Sequence, residues 1–170
     1  MFRPLLPLLC CLLASPVFAA ASTLAGTWRF DPRRSTELSP WQDYTLTLTV
    51  DGDRVTILQQ LGAGRRGFTD KMNLNVAQPD NVVPVALWAD NRHIGAYIGG
   101  DKTKHVRAEW LDGGRILRLH TDLVLSTSQG DRAVNILSDY KVSANGAVLT
   151  LTELRSTRNR PVVYVFHRAK

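Results

Sequence analysis

Apolar and polar positions alternate through most of the chain. In Tyr44-Thr45-Leu46-Thr47-Leu48-Thr49-Val50, Leu46, Leu48 and Val50 fall on one parity and three threonines on the other. A period of two with β-branched residues predicts a half-buried strand. Asp51-Gly52-Asp53 turns the chain, and Val55, Ile57 and Leu61 carry the apolar face along the return strand, with Gln59 interrupting it. Further on, Val106, Ala108 and Trp110 oppose His105, Arg107 and Glu109; after Asp112-Gly113-Gly114, Leu117, Leu119, Leu123 and Leu125 oppose Arg118, His120 and Asp122. Val134, Ile136, Tyr140 and Val142 then alternate with Asn135, Asp139 and Lys141. Asn145-Gly146 reads as a tight-hairpin pair, because both residues tolerate positive φ. Leu149 and Leu151 follow, and Asn159-Arg160-Pro161 turns into a last strand ending Tyr164-Val165-Phe166-His167-Arg168.

Other stretches are less regular. Ser39-Pro40-Trp41-Gln42-Asp43 reads as a capped helical turn or an ordinary surface turn. Gly62-Ala63-Gly64-Arg65-Arg66-Gly67 reads as a flexible basic loop, and the pattern over residues 68–76 is weak. Between residues 78 and 101, strand signals are cut by Pro79, Pro84 and Gly95. That confines them to edge or irregular pieces and marks a candidate binding loop holding Trp88 and Tyr97. The turns divide the chain into about eight to ten strands with no long helix. Neighbouring strands joined by short links predict an all-β, up-and-down antiparallel barrel, since closing protects the edges of a long meander. A β-sandwich is the alternative.

The N-terminus changes the picture of where this domain works. Arg3, an apolar run over residues 5–13 and the small-residue step Val17-Phe18-Ala19 have the form of a cleaved secretory signal, residues 1–19. Residues 20–170 then form a single domain, expected to be periplasmic or secreted and to lack a membrane span. Both cysteines, Cys10 and Cys11, fall in the leader, so no disulfide or Cys-ligated metal is expected in the domain. Lys and Arg outnumber Asp and Glu by 21 to 15, a net charge of +6. That balance favours solubility and leaves contact with anionic surfaces open.

Gly26-Thr27-Trp28-Arg29-Phe30-Asp31-Pro32 with Ser35, at the head of a β-meander of this size, resembles the lipocalins and their calycin relatives, the bacterial secreted lipocalin-like proteins above all. The ending Tyr164-Val165-Phe166-His167-Arg168 fits their final strand, and Ser138-Asp139-Tyr140 is similar to their second signature. The resemblance implies a calycin-like barrel whose motif tryptophan, Trp28, closes the base under a basic side chain from the last strand. Arg168 is the first candidate for that cover and Arg160 the second. A guanidinium over an indole is worth about 0.5–2 kcal/mol. The resemblance also hints at a ligand in the interior.

Catalytic chemistry finds no anchor. Gly62, Gly64 and Gly67 match a dinucleotide-binding spacing, but they join two strands and open no helix, so they cannot cradle a phosphate. His105 and His120, on outward faces of adjacent strands, lack metal-site spacing, so no metal and no cofactor are expected. The reading is therefore a non-catalytic exported protein holding a small hydrophobic or amphipathic ligand. Trp41, Trp88, Tyr97, Trp110 and Tyr140 are its candidate contacts, in a barrel lined by Leu46, Leu48, Ile57, Val106, Leu119, Ile136 and Leu151. The alternative is a filled barrel that meets an envelope component or polyanion through basic loops at Arg65, Arg66, Arg158 and Arg160. Nucleic acid is not expected, because no aromatic platform is interleaved with these arginines.

Overall fold

The computed structural model describes residues 23–38, 41–85 and 97–169; the proposed leader, the Ser39-Pro40 cap and Trp88 lie outside them. The eleven strands are β1 (Gly26–Phe30), β2 (Asp43–Asp51), β3 (Arg54–Ala63), β4 (Arg66–Asn75), β5 (Asn81–Pro84), β6 (Tyr97–Ile98), β7 (Thr103–Leu111), β8 (Ile116–Thr127), β9 (Gly130–Val142), β10 (Val148–Arg155) and β11 (Val162–Arg168). They form one antiparallel sheet in the order β4-β3-β2-β1-β11-β10-β9-β8-β7-β5, with β6 pairing β8 off this path. The sheet curls into a nearly closed barrel, not a sandwich. One helical turn beside β1 is a 3-10 turn at Pro32–Arg34, capped by the Asp31 side chain.

Local chemistry sets the registers. Gly52-Asp53 and Gly64-Arg65 are two-residue hairpin turns, each starting with a glycine near φ +60°. The stretch read as a flexible basic loop is therefore mostly ladder, with Gly62 opposite Gly67 and Ala63 opposite Arg66. The weak pattern over residues 68–76 is a full ten-residue strand, β4. Asn145-Gly146 does not make a two-residue hairpin. It sits in a five-residue loop between Val142 and Val148, where Gly146 N–H donates to the Ser143 carbonyl at 2.9 Å.

One end of the barrel is sealed. Trp28 is fully buried, its Nε1 donates to the Leu24 carbonyl at 3.1 Å, and the Arg168 guanidinium lies 4.2 Å from the ring centroid. Arg168 also donates to the carbonyls of Gly146, Ala25 and Thr23, which fixes it over the indole. Gly26 has φ +140°, and a Cβ there would stand 2.5 Å from an Arg168 terminal nitrogen. The Gly-x-Trp spacing thus serves the arginine as much as the ring. Arg160 takes no part; it lies at the opposite end, in the β10–β11 loop. Above Trp28, the β1–β2–β11 wall is filled by Phe30, Tyr44, Tyr164 and Phe166, with ring centroids 5.0–6.1 Å apart.

The barrel has a seam. No backbone ladder joins β4 to β5, and β5 spans only four residues. Side chains close the gap. Asn81 accepts from Asn75 N–H at 2.7 Å and donates to the carbonyls of Asn75 (3.2 Å) and Val106 (3.0 Å). Further along, Lys104 on β7 donates to Asp70 on β4 at 2.9 Å, both side chains 10% exposed.

Candidate functional site

On five strands the inward row of side chains turns from apolar to polar on the way from the sealed end to the opposite end. On β3, Val55 and Ile57 lead to Gln59; on β4, Leu74 and Met72 lead to Asp70; on β7, Ala108 and Val106 lead to Lys104. On β9, Val142 and Tyr140 lead to Ser138; on β10, Leu149 and Leu151 lead to Glu153 and Arg155. Strand pairing sets Gln59 opposite Asp70, Ser138 opposite Glu153, and Ile136 between Thr121 and Arg155. These residues form a polar belt inside the barrel.

The belt surrounds a cavity of about 90 Å³, whose apolar wall is supplied by Met72, Val85, Leu119, Leu123 and Ile136. Toward the sealed end it gives way to core, where Leu46, Leu48, Ile57, Val106 and Leu151 are fully buried. Arg155 Nε donates to Glu153 at 2.9 Å, and the two side chains, on one face of β10, are 6% and 13% exposed. The Tyr140 phenol is pushed far above its ordinary value, first by burial and then by the negative charges of Glu153 and Asp70, with the Gln59 amide opposing the rise. Tyr44, close by, is raised the same way, burial again dominating. The belt can hydrogen-bond a small polar group with hydroxyl, amide and charged partners. Among the described residues, no group of three or more His, Cys, Asp and Glu side chains could hold a metal ion.

The expected contacts divide. Tyr140 is in the cavity wall. Trp41 is at the end away from Trp28, 6.5 Å from Phe68 between centroids, in a separate 360 Å³ recess with Phe30 and Leu38. Trp110 does not reach the cavity. It lies two places beyond Ala108 toward the sealed end, half-buried against the core, because β7 continues its inward row there. Tyr97 pairs with Ser126 in β6. Trp88 is outside the described residues. Of the residues expected inside the barrel, Leu46, Leu48, Ile57, Val106, Leu119 and Leu151 are buried there, and Leu119 and Ile136 line the cavity.

The charged belt was not expected. Arg155, three places before Arg158 in the sequence, is 8% exposed inside the barrel. The usable signal was parity: carrying the alternation of Leu149 and Leu151 two and four places on reaches Glu153 and Arg155, and carrying that of Val106 back reaches Lys104.

The four basic-loop residues share the end away from Trp28. Arg65 sits in the β3–β4 turn, Arg66 begins β4, and Arg158 and Arg160 are in the β10–β11 loop. Only Arg158 and Arg160 line a groove of about 890 Å³, which crosses the outer faces of β7–β10 with His105, Arg107, Leu137 and Leu154. His105 and His120 do not meet: they bind Asp80 at 2.8 Å and Glu109 at 3.0 Å.

No protein-family model matches the sequence, and no curated protein does. Solved structures do. A Schistosoma mansoni fatty acid binding protein in complex with arachidonic acid aligns with a TM-score of 0.55 at 11% identity, over 89% of this chain and 99% of that one. Apo Caenorhabditis elegans lipid binding protein 8 aligns with a TM-score of 0.55 at 11% identity, over 87% and 96%. At such identities the likeness is one of fold, a nearly closed antiparallel β-barrel.

Proposed function

We propose that this protein binds a small amphipathic molecule inside the barrel, its polar end in the belt and its apolar part against Met72, Leu119, Leu123 and Ile136. The observation that carries this reading is the belt itself. Buried ion pairs contribute little net stability, and apolar side chains of similar volume commonly serve as well or better. Two such pairs beside a cavity are better accounted for by a polar guest than by folding. The structural neighbours, one holding arachidonic acid, support a barrel put to this use. The present cavity is below the ~300 Å³ of ordinary ligand sites. A guest larger than a few heavy atoms therefore displaces wall side chains, Met72 being the most adaptable.

Titration with the uncharged fluorophore N-phenylnaphthylamine tests this. Saturable one-to-one binding is expected, weakened by Ser138→Leu, which fills the cavity, and strengthened by Leu119→Ala, which enlarges it. Binding that ignores both changes, or no saturable binding at all, would sink the reading. The leader suggests export, checked by N-terminal sequencing of the mature protein; a retained residue 1–19 segment contradicts it.

The outer groove favours a second reading, contact with an anionic envelope surface. Arg107 and Arg160 have no ion-pair partner among the described residues, and Leu154 beside them is 50% exposed. Co-sedimentation with phosphatidylglycerol vesicles should fall in Arg107→Gln/Arg160→Gln and with added salt. An equal fall in Arg65→Gln/Arg66→Gln would show that the groove is not the contact.

A further inference from the structure

Among the described residues, the cavity wall carries two cations, Lys104 and Arg155, and two anions, Asp70 and Glu153. Lys104 Nζ is 2.9 Å from Asp70, and Arg155 Nε is 2.9 Å from Glu153. The described wall is therefore electrically balanced before any guest arrives. A carboxylate entering it would bring a full charge into a poorly hydrated interior whose cations already face anions, and an uncompensated buried charge is strongly disfavoured. A neutral group that donates and accepts hydrogen bonds meets no such penalty. Ser138 and Thr121 hydroxyls, the Gln59 amide and the Tyr140 phenol are all in the wall to receive it.

We propose that the buried end of the ligand is an uncharged hydrogen-bonding group, an alcohol or an amide, and not a carboxylate. This rests on the interior-binding reading above and narrows its ligand class. It also sets this chain apart from what the fold alone suggests, since the arachidonic acid held by one structural neighbour ends in a carboxyl group. The Tyr140 phenol in the same wall is kept neutral first by burial and then by the fields of Glu153 and Asp70, and a ligand carboxylate beside it would meet the same burial.

The test uses the mature protein loaded with N-phenylnaphthylamine and three competitors of equal chain length: decanol, decanamide and decanoate, at neutral pH. Decanol and decanamide should displace the probe at concentrations about tenfold or more below decanoate, a difference well within a charge–charge interaction across a few ångströms at an effective dielectric near 20. Because decanoate is also the more water-soluble, the deciding quantity is how the alcohol-to-carboxylate ratio responds to wall charge. Asp70→Asn and Glu153→Gln each remove one negative charge, and each should narrow that ratio about tenfold. Circular dichroism identifies the folded variants, and either one suffices. An unchanged ratio in a folded variant, or decanoate matching decanol on the unaltered protein, overturns the proposal while leaving interior binding intact. Failure of the probe to bind at all removes both.

Discussion

Gly26 is the residue whose replacement says most about the sealed end. Gly26→Ala places a methyl 2.5 Å from the Arg168 guanidinium at a φ of +140°, so it should cost about 1–3 kcal/mol in urea denaturation. In Gly26→Ala/Arg168→Ala the clash is gone and only backbone strain and the lost cation–π contact remain, so the two costs should not add. Additivity would mean that the glycine and the arginine do not share the space. Tyr44 and Tyr140 give a pH prediction. Their phenols ionise in the unfolded chain near 10.0 and well above that when folded, chiefly because of burial. An acid whose folded pKa is raised contributes stability below its unfolded pKa and loses it as pH rises past that value. Stability should therefore fall above pH ~10, and two of the four tyrosines should show no phenolate absorbance until the protein unfolds. Early titration of all four in the folded protein would contradict their burial.

At the scale of elements, the seam between β4 and β5 is where side chains replace the ladder. Asp70→Ala leaves the Lys104 ammonium buried without its anion, an expected loss of about 3–5 kcal/mol. Asp70→Leu/Lys104→Met should recover most of it in the same denaturation experiment, because a buried pair is dispensable to folding where one half of it is not. A double variant as unstable as the single one would mean that the pair itself holds the seam. The strands were legible from parity wherever apolar residues repeat, as in β2, β8 and β10, and so was the barrel. β4 was not, because inward Asp70 breaks its apolar run, and β5 is too short to carry a period. The same feature hid the site. Parity marks which side chains face inward, but a reading that equates inward with apolar sends Lys104, Glu153 and Arg155 outside, when tertiary pairing keeps them in. Trp110 stands apart from the cavity for a different reason: it has the right parity but sits too near the sealed end, a height that sequence alone does not report.

For the whole molecule, the barrel is sealed by Trp28 and Arg168 at one end and turns polar inside toward the other. On the proposed reading, the balanced charges of that half select the guest by head group, and the volume of about 90 Å³ selects it by size unless the walls yield. The outer groove is an independent surface, and its vesicle test leaves the interior untouched. The most direct measurement is native mass spectrometry of the protein purified without detergent from its own source, followed by solvent extraction of what it carries. The account predicts one organic molecule per chain, amphipathic and bearing an uncharged polar end, lost from the Ser138→Leu variant. A protein that arrives empty and takes up no uncharged amphipath added to it would contradict the account.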